Sequence, residues 1–344
     1  MGHYKAVISA YLYEVKTNTD DWQHQATCYQ NIGVNFAKLR EYSASIHYLN
    51  KSLGIHRSNG VPEYDSSLIR LYISLGAAYS EIGSCDELAI QYIYKALECE
   101  LMNIEQNRDE QRLSSSYNNL GTILSRNGRL EKSLECYKQA YDIRMKILPP
   151  NHPLIATVRL GMGGTLHRQG RYQEALTIYQ EALKIQKAIL SPDHLDIART
   201  YGCIGSVLYR LEQLDQACLY MKQGLDIQVK HFSSIHPSLG DSYYNLAMIH
   251  FDQNRNELAL EYYLKSIDCE QLIMKNNSSS LKKSSILASA HNSVAMIFGN
   301  QRQYEKALEY FMKAIEIATE IFGTDHYKTK IYKDNLQELS NKMP

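Results

Sequence analysis

Leu120-Gly121-Thr122-Ile123-Leu124-Ser125-Arg126-Asn127-Gly128-Arg129-Leu130-Glu131-Lys132-Ser133-Leu134-Glu135-Cys136-Tyr137-Lys138-Gln139-Ala140 decides the fold, because its small and aromatic residues return 42 positions later. Leu120-Gly121, Gly128, Leu130, Ser133, Tyr137 and Ala140 become Met162-Gly163, Gly170, Tyr172, Ala175, Tyr179 and Ala182. The same interval carries the frame to Ile204-Gly205, Ala217, Met221 and Gly224, and again to Leu246-Ala247, Ala259, Tyr263 and Ser266. Upstream, Ile32-Gly33 with Ser45 and Leu49, and Leu75-Gly76 with Ala89 and Ile93, are the same unit at intervals of 43 and 45; Val294-Ala295 with Ala307 and Phe311 follows downstream at 48. A period in this range marks a stacked array, in which each unit buries its apolar face only against its neighbours.

Within a unit the apolar residues recur at three- and four-residue steps in two blocks, so each unit is predicted to be a hairpin of two amphipathic helices, A and B. Five of the seven prolines (Pro149, Pro150, Pro153, Pro192, Pro237) fall in the connections between units, where a residue without an N–H can stop one helix or begin the next. Gly121, Gly163, Gly205, Ala247 and Ala295 stand where a larger side chain would hold helix A away from its partner, and Ala175, Ala217, Ala259 and Ala307 do the same on helix B. Of the 27 tyrosines, roughly four in five are expected in the core, since periodic aromatics pack.

The 344 residues are 44% hydrophobic and 22% charged, with 37 basic and 37 acidic side chains. That balance provides no overall field for nucleic acid or an anionic membrane, so recognition by charge must be local. The seven cysteines have no CxxC or zinc-type spacing and are read as reduced packing residues, with no metal site expected. The apolar run Ala6 to Leu12 is too short and too charged for a signal peptide or membrane span, which places the protein in the cytoplasm. Residues 276–285, Asn-Asn-Ser-Ser-Ser-Leu-Lys-Lys-Ser-Ser, are predicted to be one lengthened polar loop. The N-x-S sequons at Asn276 and Asn277 lie in that tract.

Small and aromatic residues in this arrangement resemble the tetratricopeptide repeat over nearly the whole chain, although 42 residues exceeds its usual period of about 34. The extra eight residues lengthen a hairpin by about two helical turns. Such long units are similar to those of kinesin light chains and nephrocystin-3-like proteins, as are the connections Leu148 to Ala156, Leu190 to Ala198 and Ser234 to Leu239. Their His152, His194 and His236 recur in phase, and His326 lies in a final copy, Gly323 to Tyr327; a structural role at the start of helix A is expected for them. The resemblance implies an all-α, right-handed solenoid of seven helical hairpins, at about 26–60, 66–108, 111–148, 153–190, 195–232, 237–275 and 285–322. Residues 1–25 are read as a partial N-terminal repeat, with the end of a helix A near Ala6 turning into helix B, and 323–344 as a capping helix. No heptad coiled coil precedes the repeats, so assembly onto a motor heavy chain is not implied.

In such a solenoid helix A lines the concave face, which makes its polar residues the candidates for binding. Arg126, Arg168 and Arg210 are equivalent on successive A helices, Lys38 takes the same place in the first unit, and Arg70 and Arg199 lie a turn or more earlier on theirs. A row of arginines can pair bidentately with carboxylates or phosphates, so an acidic protein or peptide segment is the expected partner. Asn31, Asn119 and Asn245, also equivalent, can hold its backbone through amides that both donate and accept. No GxGxxG, GxxxxGK[ST], HExxH or GxSxG motif occurs; Gly161-Met162-Gly163-Gly164 falls inside a helix A. The sequence therefore points to a non-catalytic interaction scaffold without a cofactor, and away from nucleic acid and membrane. The alternative is the regulatory array of a larger enzyme, such as an arginine ADP-ribosyltransferase.

Overall fold

A computed structural model describes residues 2–18, 20–82, 86–102, 110–233, 236–276 and 284–343. Among these there are sixteen α-helices, one 3₁₀ turn and no strand. The helices are α1 (Gly2–Thr17), α2 (Trp22–Lys38), α3 (Tyr42–Ser58), α4 (Ile69–Ile82), α5 (Asp86–Met102), α6 (Glu110–Arg126), α7 (Leu130–Ile147), α8 (Pro153–Arg168) and α9 (Tyr172–Ile189), then α10 (Leu195–Arg210), α11 (Leu214–His231), α12 (Pro237–Asp252), α13 (Asn256–Asn276), α14 (Ser285–Asn300), α15 (Tyr304–Phe322) and α16 (Tyr327–Lys342). The chain divides into two compact units, residues 1–178 and 179–344.

In the first unit α2 pairs with α3, α4 with α5 and α6 with α7 as hairpins, and consecutive A helices (α2, α4, α6, α8) touch along one side. In the second unit α10 pairs with α11, α12 with α13 and α14 with α15, while α16 closes on α14 and α15. The close approach within a hairpin depends on the small residue predicted for it. A Cβ added at Gly76 would lie 2.5 Å from Ile93 Cγ1 and one at Gly205 2.7 Å from Met221 Cγ; between successive hairpins, one at Gly161 would lie only 2.4 Å from the Tyr137 ring. Buried serines on helix B use the same closeness: the Ser133 hydroxyl donates to the Gly121 carbonyl at 2.7 Å and that of Ser266 to Gly240 at 2.9 Å.

Several expectations change. Residues 2–17 form one uninterrupted helix instead of a turn near Ala6, because no helix breaker lies between His3 and Thr17. Helix α2 starts at Trp22, capped by Asp21, four residues before Ala26. The tyrosines are less buried than periodicity suggests. Tyr72, Tyr137, Tyr179, Tyr201, Tyr263 and Tyr332 are core; Tyr13, Tyr64, Tyr94 and Tyr327 are exposed; the others are half-buried. A phenol can bury one face of its ring against the other helix of its hairpin and leave the rest of the side chain to solvent, as in the stacked pairs Tyr79–Tyr92 and Tyr243–Tyr262. Of the described cysteines, Cys28, Cys99, Cys136 and Cys269 are buried, Cys203 and Cys218 are half-buried, and none is in a disulfide. Cys85, Asn277 and most of the polar tract 276–285 lie outside the described residues. Among the described residues no helix is long and apolar enough to cross a membrane.

Candidate functional site

The A helices are set by two local devices. At the start of four of them the in-phase histidine is the N-cap, its Nδ1 accepting a backbone N–H two residues on: Leu154 to His152 at 3.2 Å, Asp196 to His194 at 3.1 Å, Ser238 to His236 at 3.3 Å and Lys328 to His326 at 3.2 Å. Ser284 does the same for α14, and Asp21 caps α2 by accepting the His24 N–H three residues on. A cap of this kind satisfies one of the four N–H groups left open at a helix start. At the other end the chain enters helix B through a single left-handed residue: Arg40, Gly128, Gly170, Glu212, Asn254 and Arg302, with φ between 59° and 77°. Two returning N–H bonds, such as Gly128 to Ser125 and Arg129 to Leu124, close the turn.

Between these ends the first unit has two adjoining cavities. One, ≈ 390 Å³, is walled by Val34, Ala37, Lys38, Leu49 and Ala77; the other, ≈ 200 Å³, by Ile93, Asn119, Ile123 and Arg126; Ile73, Ala77 and Glu81 belong to both. Arg126 is ion-paired with Glu81 across from α6 to α4, and the Tyr42 hydroxyl donates to the same carboxylate at 3.4 Å. The walls are therefore mainly apolar, with Lys38 and Asn119 among them and one charged pair, Arg126 and Glu81, at their shared edge.

The second unit has a cleft of ≈ 460 Å³ on α10, α11 and α12, and its lining carries more polar groups: Asp196, Arg199, Gln228, Asp241, Ser242 and Asn245, beside Leu195, Ala198, Met221 and Phe232. The guanidinium of Arg199 lies 3.3 Å from Asp196 on its own helix. The Ser242 hydroxyl donates to the Gln228 side-chain oxygen at 2.6 Å. One repeat earlier, Thr200 donates in the same way to Gln186 at 2.7 Å.

The tetratricopeptide repeat family pattern matches residues 112–188, 154–230 and 196–269, and a second tetratricopeptide repeat pattern matches 287–327. The chain belongs to the tetratricopeptide repeat family. No curated protein matches it as a sequence. Among solved structures, this tetratricopeptide repeat chain is similar to a putative kinesin light chain repeat array from Podosopora anserina (20% identity, TM-score 0.52, 62% of this chain and 98% of that one). A Rap protein complexed with competence and sporulation factor is similar over 99% of this chain and 96% of its own, at 16% identity and a TM-score of 0.60. The signal transduction ATPase PH0952 from Pyrococcus horikoshii, which has a tetratricopeptide repeat sensor, matches 98% of this chain with 50% of its own length, at 16% identity and a TM-score of 0.66. At these identities the likeness is one of fold.

Within this tetratricopeptide frame the candidate residues divide. In the first unit Lys38, Asn119 and Arg126 line the two cavities, and the Arg168 guanidinium donates to the Arg126 carbonyl at 3.5 Å. Lys38 also stands over the Tyr4 ring, 5.4 Å from its centre. Asn31 is half-buried and Arg70 exposed, outside both linings. In the second unit Arg199 and Asn245 share the cleft, whereas Arg210 is exposed away from it. Sequence reasoning missed a second polar row, on helix B. Arg144, Gln186, Gln228 and Glu270 recur every 42 residues and point inward; Arg144, 2% exposed, bonds both the Ser114 hydroxyl and the Leu154 carbonyl. The spacing was visible, but polar side chains on helix B read as solvent-facing.

Sequence reasoning also missed a cluster at the N-terminal end. His24 and Cys28, one turn apart on α2, meet Glu14 from α1. Cys28 Sγ is 3.5 Å from Glu14 Oε2 and 3.5 Å from His24 Nε2, and those two atoms are 3.4 Å apart. Burial, then Glu14 as hydrogen-bond partner and charge, pushes the Cys28 thiol up to about 11.

Proposed function

We propose that the chain is a non-catalytic cytoplasmic scaffold that holds an extended, acidic segment of a partner protein along the A-helix faces of its repeats. The observation that carries this reading is that two cavities of the first unit and the cleft of the second open on A helices and gather cationic and amide side chains: Lys38, Asn119 and Arg126 in the first unit, Arg199 and Asn245 in the second. Arg70, Arg168 and Arg210 form no ion pair among the described residues and stay available to carboxylates. Arg126 and Arg199 are already paired, with Glu81 and Asp196, but both pairs are exposed. Exposed pairs contribute about 0–1 kcal/mol, so an incoming carboxylate can exchange with them at little cost. The Rap neighbour, complexed with competence and sporulation factor, supports binding by an array of this fold.

The test is capture from a library of acidic peptides by wild type and by Arg126→Glu/Arg168→Glu/Arg210→Glu at two salt concentrations. Salt-sensitive binding that the triple variant loses is expected; equal binding by both proteins overturns the groove. A second reading, the sensing array of a larger enzyme, draws on the ATPase that this chain matches over half of that protein's length. An immunoblot of the native source distinguishes them, since an enzyme-linked array runs well above 39.5 kDa.

A further inference from the structure

We infer that Glu14, His24 and Cys28 form a binding site for one divalent transition cation, zinc above all, which fastens α1 to the first repeat. The three donor atoms stand at the corners of a nearly equilateral triangle with sides of 3.4–3.5 Å. A point about 2 Å from each corner lies at its centre, and a small rise out of the plane brings it to the roughly 2.0–2.3 Å lengths of zinc bonds to oxygen, nitrogen and sulfur. The donor set suits a borderline-soft cation and not magnesium or calcium, which prefer oxygen.

The local architecture makes the triangle repeatable. Residues four apart on a helix share one face, so α2 alone presents His24 and Cys28 together, and the Asp21 cap that accepts the His24 backbone N–H at 3.0 Å fixes the start of that helix. Glu14 comes from the last turn of α1. Cys28 is 1% exposed, while the His24 and Glu14 side chains are 38% and 45% exposed. A cation therefore has an inner thiolate, two outer ligands, and an open side for a water as fourth ligand. On binding, the metal–sulfur bond forms and the thiol proton leaves to solvent. The positive end of α2 opposes the cation only weakly beside three coordinate bonds. Without metal the same groups form a hydrogen-bonded trio, and α1 is held by that trio and its packing on α2.

The experiment uses the full chain, reduced and stripped with chelator, titrated with Co²⁺ and then Zn²⁺. One equivalent of Co²⁺ is expected to raise a thiolate-to-cobalt charge-transfer band that Zn²⁺ bleaches. Cys28→Ser removes the band, and Glu14→Gln or His24→Gln weakens binding by about tenfold or more. Zinc at about a hundred times its dissociation constant slows tryptic cleavage after Lys16 by up to about a hundredfold, and Glu14→Gln cuts that protection to about tenfold or less at the same zinc concentration. Glu14 is only half-buried, so this variant folds even if Cys28→Ser does not. No band in wild type, a band that survives Cys28→Ser, or binding indifferent to both Glu14→Gln and His24→Gln overturns the site.

Discussion

Two cavities of the first unit and the cleft of the second each lie against A helices of their own unit, yet they are closed by different chemistry. In the first, Ala37, Ile73, Ala77 and Ile123 form the walls and the one strong polar contact, Arg126 to Glu81, joins helices of different repeats. In the second, polar groups line the cleft and find partners locally, as Arg199 does with Asp196 and Ser242 with Gln228. The packing beneath differs as well: Gly121 and Gly161 in the first unit lie against the rigid Tyr137 ring, while Gly205 in the second lies against the flexible Met221. A repeat thus prescribes a shape and leaves its chemistry free, because only the small and large positions are needed for stacking.

The largest expected effect breaks the comparison at its packing. Gly161→Ala forces a methyl into the Tyr137 ring at a cost of about 3 kcal/mol in overpacking, offset by about 1 in helix propensity, so urea denaturation falls by about 2 kcal/mol. Gly205→Ala meets a side chain that can rotate, and its net cost stays under about 1 kcal/mol. Equal losses would show that the ring is not the rigid element. Next, His194→Ala removes the cap of α10 and costs about 1 kcal/mol, whereas the neighbouring exposed Lys230→Ala changes stability by under about 0.5 kcal/mol in thermal unfolding.

The second unit is also expected to respond to pH near the carboxylate range through a buried glutamate. Burial first, and then the charge of Asp241, raise the pKa of Glu270, with Ser284 opposing. A raised carboxylate binds its proton more tightly in the folded state, so its ionised form weakens the fold. That cost is absent below the ordinary glutamate value of 4.5 and grows as pH climbs through the raised one. Glu270→Gln should therefore stabilise the protein at neutral pH, with the gain vanishing below pH 4.5 in paired denaturation curves. In the first unit Glu81→Gln frees Arg126 and should tighten binding of an acidic peptide by about two- to fivefold at low salt, measured by fluorescence polarisation. Smallest of all, Glu212→Gly relieves a left-handed residue and should stabilise by about 0.5 kcal/mol, the backbone strain relieved being partly cancelled by chain entropy.

How much could be read in advance follows from how far apart the interacting residues lie. The hairpins were legible because Gly121, Tyr137 and Ala140 recur in one short window. The helix starts were legible too, though histidine is outside the usual capping set, and only the geometry shows Nδ1 accepting. Gly128 and Gly170 advertise the left-handed turn, whereas Arg40, Glu212 and Arg302 adopt it unannounced because the same returning hydrogen bonds impose it. The arginine row was legible as spacing, but not the carboxylates facing it: Glu81 lies 45 residues from Arg126.

By itself the sequence determined the period, the two-helix unit and the positions where small residues let helices close, since each depends on residues within a few turns of one another. Only the tertiary structure decided which charges are already paired, which cavity each candidate joins, and that Glu14 meets His24 and Cys28. Those outcomes depend on donors from separate helices arriving within hydrogen-bonding distance, and interaction at that range changes with shifts far smaller than any sequence pattern encodes.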